Sequence, residues 1–254
     1  MIRCYVINLK RRSDRLKKIS QHLKLRGLSF IRFNAVDALN ASKDILMNNM
    51  DISGPLGEVS SGDRACFQSH FNLWKLIAVK EKEPVLVLED DVFLAENVSD
   101  LLKDFSWIPK GTKIIKCERF GNKRHRILVS PLSSKLNNYK IYLLLSKHSG
   151  TGGYIITPEG AKFLIEQKLK VNISVDHYLF NPNNSPVFKK LNPLQILPAL
   201  CEQSDQISDI HPLRPSFNYL RELKRGYYEI NLLPKHLFYM VFKGAKLIKP
   251  EISK

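Results

Sequence analysis

The sequence is poor in cysteine, with 4 in 254 residues, and these four lie far apart. Cys4, Cys66, Cys117 and Cys201 form no CxxC pair, and their spacing matches neither a zinc site nor a disulfide framework. Each lies in an apolar stretch, where a reduced thiol packs well. Because disulfides are typical of oxidising compartments, the sequence predicts reduced, buried thiols and a cytoplasmic protein.

Long apolar runs are also missing. No uninterrupted apolar segment approaches the roughly 20 residues that are needed to span a bilayer. Residues 1–15 have a short apolar run followed by a basic cluster, which is the reverse of the order in a signal peptide. We therefore expect neither a membrane-spanning helix nor secretion.

Acidic residues are in the minority, with 24 Asp and Glu against 40 Lys and Arg and a formal net charge of +16. The remaining composition is that of a folded protein, which excludes collagen-like, low-complexity and disordered chains. The excess positive charge is either a solvated surface or a match for an acidic partner. Nucleic acid, anionic lipid headgroups and phosphorylated small molecules are partners of that kind.

Short apolar runs alternate with amphipathic stretches, and this alternation predicts an α/β fold. The predicted strands are 4–7, 30–33, 85–88, 113–117, 140–145 and 154–156, and the predicted helices are 13–25, 63–81 and 158–167. Ser13 is the predicted N-cap of the first helix. Residues 39–61 and 180–193 are expected to be loops, and we find neither a repeat nor a second core.

Three acidic residues, Glu89, Asp90 and Asp91, follow the apolar run 85–88. That run is typical of a strand buried on both faces, and ligands of open α/β sheets bind where such strands end. A Mg²⁺ or Mn²⁺ ion would relieve the repulsion of three adjacent carboxylates and recruit a diphosphate. The alternative is an acidic turn or a helix N-terminus.

A basic segment that begins at Asn8 follows the first predicted strand. Arginine recognises phosphate with two parallel hydrogen bonds, and the N-terminus of the following helix adds its dipole. Arg11 and Arg15 are four residues apart and are predicted to share one helix face. They either bind phosphate or belong to a solvated helix face.

Two further residues each allow two interpretations. His70 shares a predicted helix face with Cys66 and Trp74, so it is either a satisfied core histidine or a functional group. Asp176 lies among apolar and aromatic residues, where it is either a helix cap or a general base whose pKa is raised. Residues 150–153 are glycine-rich but lack the lysine of a phosphate-binding loop.

The sequence resembles glycosyltransferase family 25, which includes bacterial lipooligosaccharide glycosyltransferases and the collagen galactosyltransferases. The resemblance rests on segments in a fixed order that cover most of residues 1–210. These segments are 6–9 with Arg11, Arg12, Asp14 and Arg15, then 35–38, 66–74, 86–92, 150–161 and 175–179, and finally 198–200 with Gln203.

The resemblance implies a GT-A-like fold with a central, mainly parallel sheet, and inverting transfer of galactose or glucose from a UDP-sugar. It implies Mn²⁺ or Mg²⁺ at Asp91, with a possible further ligand at His211. An inverting transfer needs a base, for which we choose Asp176. The residues predicted to bind the donor are Asn8, Arg11, Arg15, Asp37, His70, Glu89, Asp90 and Gly152.

The tail, residues 216–254, is predicted to be a basic amphipathic helical segment after a catalytic domain of residues 1–215. Such a segment can lie in a membrane interface, which suits a lipid-linked oligosaccharide acceptor. The alternative is a helix that packs on the domain.

Two other functions were weighed against the transferase. A nucleic-acid-binding protein would suit the positive charge, but the sequence has no recognisable reading motif and the acidic triplet would have no role. A metal-dependent phosphohydrolase would need further carboxylates or histidines for a second metal. We therefore expect no nucleic-acid partner.

Overall fold

The computed structural model describes residues 2–96, 98–120, 125–131, 134–167, 169–203 and 219–253. Its helices are α1 (Ser13–Leu25), α2 (Lys43–Met47), α3 (Ser61–Lys80), α4 (Val98–Leu101), α5 (Pro158–Ile165), α6 (Val175–Phe180), α7 (Phe188–Leu191), α8 (Tyr219–Ile230) and α9 (Leu233–Lys243). Its strands are β1 (Arg3–Asn8), β2 (Ile31–Asn34), β3 (Ser53–Gly54), β4 (Gly57–Glu58), β5 (Val85–Glu89), β6 (Val92–Leu94), β7 (Ile114–Lys116), β8 (Glu118–Arg119), β9 (Ile127–Val129), β10 (Lys135–Leu136), β11 (Tyr139–Leu143), β12 (Gly153–Ile156), β13 (Leu194–Leu197), β14 (Cys201–Gln203) and β15 (Lys246–Ile248).

A central sheet of eight strands organises the fold, in the order β10-β11-β13-β7-β12-β5-β1-β2. Strands β1, β2 and β5 pair in parallel, as do β7 and β13, whereas β11 and β12 run against their neighbours. Six of the eight strands thus point the same way. This arrangement confirms the predicted α/β class and its mainly parallel central sheet.

The apolar run of β5 lies in the middle of this sheet, between β1 and β12. Its side chains at 85–88 are at most 1% exposed, as predicted for a strand covered on both faces. One face packs against α3, α5 and α6, where Trp74 and Phe67 are buried. The other face packs against α1 through Ile19 and Leu23.

A smaller sheet continues from the carboxyl edge of the central one. Its order is β6-β14-β8, with β14 antiparallel to β6 and parallel to β8. Because β6 follows β5 and β8 follows β7, the residues between these strand pairs are held between two sheets. The acidic triplet lies in the first of these junctions.

Several local predictions need correction. The N-cap of α1 is Arg12 and makes no side-chain hydrogen bond, so Ser13 is already inside the helix. The predicted loop 39–61 contains α2, which is capped by the Ser42 side chain, and the β3–β4 hairpin. The predicted loop 180–193 contains α7. Short polar caps and turns of this kind carry too few apolar residues to show a period.

The thiols are free, as predicted, with Cys4, Cys117 and Cys201 buried and Cys66 partly buried. The described tail is not helical throughout. Gly244, with φ +62°, ends α9, and β15 then pairs antiparallel with β9. None of the described helices has the length and apolar character that crossing a membrane requires.

Candidate active site

The residues that follow β1 and β5 meet at the carboxyl edge of the central sheet. β1 ends at Asn8, β5 ends at Glu89, and the two strands are parallel neighbours. The amide nitrogen of Asn8 donates to Asp90 at 2.6 Å and to the carbonyl oxygen of Arg12 at 3.0 Å. The basic segment and the acidic triplet therefore lie together at this edge.

Arg15 is turned from α1 toward the acidic triplet. Its guanidinium lies 3.2 Å from Asp90 and 3.8 Å from Asp91, and its side chain is 6% exposed. Arg11 precedes α1, and its Nε lies 2.9 Å from Asp37. The two arginines therefore do not share a helix face, contrary to the prediction from their spacing. Their contacts with a donor stay predictions.

The pKa of Asp91 is unusually high for an aspartate. Burial, together with repulsion from Glu89 and Asp90, raises the pKa of Asp91 to about 7, although Arg15 opposes the change. Its Oδ1 is buried and makes no hydrogen bond within the described part of the chain. A buried oxygen of this kind is costly to leave unsatisfied, and a hard cation would satisfy it.

Glu89 stands at the end of a chain of buried polar groups. The indole N–H of Trp74 donates to the Tyr154 hydroxyl oxygen at 3.0 Å, and that oxygen lies 2.8 Å from Nδ1 of His70. Nε2 of His70 lies 3.3 Å from a Glu89 carboxylate oxygen, to which Thr151 also donates at 2.5 Å. The Tyr154 hydroxyl thus connects Trp74 to His70, and the His70 ring connects Tyr154 to Glu89.

This hydrogen-bond chain favours one of the two interpretations of His70. The side chain is 0% exposed and has a partner at each ring nitrogen, as is typical of a satisfied core histidine, and its contact with a donor stays a prediction. Burial raises the pKa of Glu89, but the hydrogen bond and charge of His70, together with the hydrogen bond from Thr151, outweigh burial and lower the pKa overall. Glu89 is therefore ionised at neutral pH.

A buried ion pair that sequence analysis missed lies beside the triplet. Lys116 and Glu118 have fully buried side chains, and Nζ lies 2.9 Å from Oε2. Lys116 also donates to the carbonyl oxygen of Gly150 at 2.5 Å and lies over the Phe180 ring. Burial raises the pKa of Glu118 to about 7, and its Oε1 has no partner among the described residues. The available signal was a lysine inside an otherwise apolar strand.

The glycine-rich loop before β12 closes the site. The N–H of Gly150 donates to Asp176 at 3.3 Å, and the N–H of Gly152 donates to Glu118 at 3.0 Å. Gly150 has φ +84°, and a Cβ there would lie 2.6 Å from Oε1 of Glu118, so this position requires glycine. The Gly152 carbonyl oxygen accepts from the N–H of Glu89 at 3.0 Å. The loop is thus hydrogen-bonded to Asp176, Glu118 and Glu89. A contact of Gly152 with a donor stays a prediction.

Asp176, the predicted base, lies in the first turn of α6. The Ser174 hydroxyl donates to its Oδ1 at 2.5 Å, and the N–H of Gly150 donates to its Oδ2. Burial raises the pKa of Asp176, but the charge of His177 and these hydrogen bonds outweigh burial and lower it to about 2. The expectation that apolar neighbours raise this pKa is wrong. So weak a base is better described as a positioning residue for the loop.

Two donor sets could hold a metal ion. Asp91 and Glu89 offer carboxylate oxygens, which suit Mn²⁺ or Mg²⁺. Cys66, His70 and Glu89 form the other set, with ligand atoms within 4.8 Å of one another. Burial and the surrounding carboxylates raise the pKa of the Cys66 thiol well above its usual value, which favours the oxygen set. His211, the other predicted ligand, lies outside the described residues.

Comparisons with known proteins give a consistent result. A family model described as glycosyltransferase family 25 (LPS biosynthesis protein) matches residues 1–179. The lipooligosaccharide biosynthesis protein lic2B of Haemophilus influenzae is 27% identical over 216 residues, which cover 80% of this chain and 76% of that protein. The lacto-N-neotetraose biosynthesis glycosyltransferase LgtE of Neisseria meningitidis is 30% identical over 218 residues, 78% of this chain and 73% of that protein.

Among solved structures, a glycosyltransferase involved in the glycosylation of the major capsid of PBCV-1 is similar over 90% of this chain and 98% of its own. The TM-score is 0.40 and the sequence identity is 12%. At that level the likeness carries no argument about function. The comparison with known proteins therefore rests on the family match and on the two bacterial relatives.

Proposed function

The chain belongs to glycosyltransferase family 25, and from this we propose that it transfers a hexose from a UDP-sugar to a hydroxyl group of a lipooligosaccharide acceptor, with inversion at the anomeric carbon. We propose galactose as the hexose, with glucose as the alternative. The bacterial relatives named for lipooligosaccharide and lacto-N-neotetraose biosynthesis support the acceptor class. Membership of a glycosyltransferase family leaves the nucleic-acid-binding and phosphohydrolase alternatives without support.

The charge balance of the site is the observation that carries the proposal. Four carboxylates, Glu89, Asp90, Asp91 and Glu118, influence one another electrostatically. Among the described residues, the basic groups in contact with them are Arg15, Lys116 and the imidazole of His70. When ionised, the four carboxylates exceed the two permanent cations, Arg15 and Lys116, by two charges. A bound divalent cation would offset that excess, and within the same described residues Asp91 and Glu118 each keep a buried oxygen without a hydrogen-bond partner.

The residues therefore fit the Mn²⁺ or Mg²⁺ ion that this family implies. Asp91 would hold the cation, with Glu89 beside it as an ionised carboxylate fixed by His70 and Thr151. Asp90 is engaged by Asn8 and Arg15, so we assign it to positioning the basic segment. When bound, the cation would neutralise charge that develops on the departing diphosphate.

The transfer itself consists of one bond that forms, one bond that breaks and one proton that moves. The acceptor hydroxyl attacks the anomeric carbon and loses its proton to a base, while the bond from that carbon to the diphosphate oxygen breaks and UDP departs. The protein would contribute by fixing both substrates and excluding water. Asp176 contributes by fixing Gly150, and through Gly150 the loop that faces Glu118.

Release of UDP from a panel of UDP-sugars, measured with Mn²⁺ and a lipooligosaccharide acceptor, tests this proposal. We expect release from UDP-galactose or UDP-glucose, and a fall of about 100-fold or more in Asp91→Asn, the usual effect of losing one group that stabilises developing charge. Titration with Mn²⁺, followed by electron paramagnetic resonance, should show weaker binding to the same variant. Asp44→Asn, which alters an exposed aspartate in α2, is the matched control.

Two results would contradict parts of the proposal separately. Wild-type Mn²⁺ affinity and activity in Asp91→Asn would refute the metal assignment but leave the transferase intact. Absence of UDP release with every sugar tested would refute the donor class.

The acceptor class also implies a location. A lipid-linked oligosaccharide is presented at a membrane surface, so we propose that the enzyme works as a peripheral membrane protein at the cytoplasmic face. The fit between this chain and such a surface rests on its positive charge.

A further inference from the structure

In the two helices of the tail, α8 and α9, apolar side chains face solvent, whereas in ordinary surface helices they face the core. In α9 the apolar side chains Leu237, Phe238, Val241 and Phe242 are exposed, with Val241 at 70% and Phe242 at 71%. The side chains that are partly covered instead are those at 235, 236, 239 and 240, which include a lysine and a histidine. A surface helix that packs on a core shows the opposite arrangement.

Helix α8 repeats this arrangement. Tyr219, Leu223, Tyr227 and Ile230 recur at intervals of four, four and three residues and are all more than half exposed. Tyr228, on the other side of the helix, is partly covered. Both helices thus present an apolar stripe to solvent, and we call these two stripes the tail face.

The tail face is attached to the catalytic unit at its far end. After α9, β15 pairs with β9, and Ile252 forms a bridge with Ala199, close to β14 of the smaller sheet. The apolar stripes are therefore exposed on a segment whose C-terminal end is fixed by pairing with β9 and by the bridge to Ala199.

We infer that the tail face is a docking surface for an anionic lipid bilayer. Residues 219–253 contain seven Lys or Arg and three Glu, so the segment that bears the apolar stripe is also basic. Apolar side chains beside lysines match a membrane interface, where the former enter the acyl boundary and the latter meet anionic headgroups. A second copy of this chain would bring the same positive charges together, which opposes self-association through this face.

This inference deepens the proposed function by naming the surface that meets the membrane. Its test measures lipid binding and not sugar transfer, so the two can fail independently. The probe is co-sedimentation of the full chain with vesicles of phosphatidylcholine and phosphatidylglycerol, compared with vesicles of phosphatidylcholine alone. We expect binding to the anionic vesicles that weakens as salt is added.

The decisive variant is Phe238→Gln combined with Phe242→Gln, which should reduce the partition coefficient by about tenfold or more because both rings leave the acyl boundary. Its matched control is Leu25→Gln combined with Val79→Gln, which alters two still more exposed apolar residues on α1 and α3. The control should bind as the wild type does. Both double variants change exposed side chains, so both should fold, which circular dichroism checks.

Three outcomes would overturn the inference. Undiminished vesicle binding by the Phe238/Phe242 variant would show that the tail face does not dock. Sedimentation of the wild type as a dimer that dissociates in this variant would assign the face to a second copy of the chain instead. Loss of binding equal to that of the Leu25/Val79 control would show that the effect is not specific to the tail face.

Discussion

Removal of one hydroxyl group, in Tyr154→Phe, should affect both stability and activity. The Tyr154 oxygen lies 3.0 Å from the Trp74 indole nitrogen and 2.8 Å from Nδ1 of His70, in a fully buried position. Phenylalanine keeps the ring but leaves both partners unsatisfied. Because such an unsatisfied buried group costs about 1–3 kcal/mol, we expect the free energy of unfolding to fall by roughly 2–4 kcal/mol.

Tyr154→Phe should also change the pKa of Glu89, because His70 contacts both side chains. Without the Tyr154 hydroxyl, Nδ1 of His70 loses its partner, and the ring is held less firmly with Nε2 toward the Glu89 carboxylate. The hydrogen bond with His70 lowers the pKa of Glu89, so its loss should raise that pKa. We expect the acid limb of the pH–activity profile to move to higher pH and kcat to fall by about tenfold, which corresponds to roughly 1.4 kcal/mol.

Tyr178→Phe provides a matched control for Tyr154→Phe. Tyr178 is as deeply buried and belongs to the same aromatic cluster around Trp74 and Phe67, but no hydrogen bond to its hydroxyl is present among the described residues. Urea unfolding and UDP release at several pH values measure the two effects. If Tyr154→Phe matched Tyr178→Phe in both stability and pH profile, the hydrogen-bond chain would have no role in holding Glu89.

The remaining predictions concern the groups that fix the glycine-rich loop. Asp176→Asn should weaken the dependence of the free energy of unfolding on pH in the acid range. The folded-state pKa of Asp176, about 2, lies below the ordinary value of 3.8. The carboxylate therefore stabilises the fold above pH 3.8 and loses this effect as the pH falls toward 2. Urea midpoints at several pH values should show about 2 kcal/mol less pH-dependent stability, and an unchanged acid limb would contradict the prediction. Lys116→Met should cost about 3–5 kcal/mol because it leaves Glu118 buried and unpaired. Adding Glu118→Gln should recover much of that loss in the same measurement, whereas additive losses would refute the pairing.

The central part of the fold could be predicted because it is written in local patterns. The apolar run 85–88 has no polar residue, so only a position between two covered faces suits it, and β5 lies there. The helix predicted over 13–25 has the observed bounds, since its apolar residues keep a helical period. By contrast, β3 and β4 have two residues each, and no period is visible at that length.

The sequence predicts where the site lies but not which residues contact one another there. The end of a buried strand marks where ligands bind, so the acidic triplet could be found from sequence. Its partners could not, because Lys116, Glu118 and Tyr154 come from other strands and meet the triplet only through strand order. The same limit explains Asp176, whose low pKa depends on Ser174 and on the N–H of Gly150, 26 residues away in the chain.

The distribution of charge connects the two halves of the proposed mechanism. The chain as a whole is strongly basic, yet at the edge where β1 and β5 end the described carboxylates outnumber the described cations that contact them. A nucleotide diphosphate is an anion, so these carboxylates would repel it unless a cation were bound first. Part of the basic excess lies in the segment that carries the exposed apolar stripes of α8 and α9. Metal removal should therefore abolish donor binding without weakening vesicle binding, since the two anions meet different parts of the molecule.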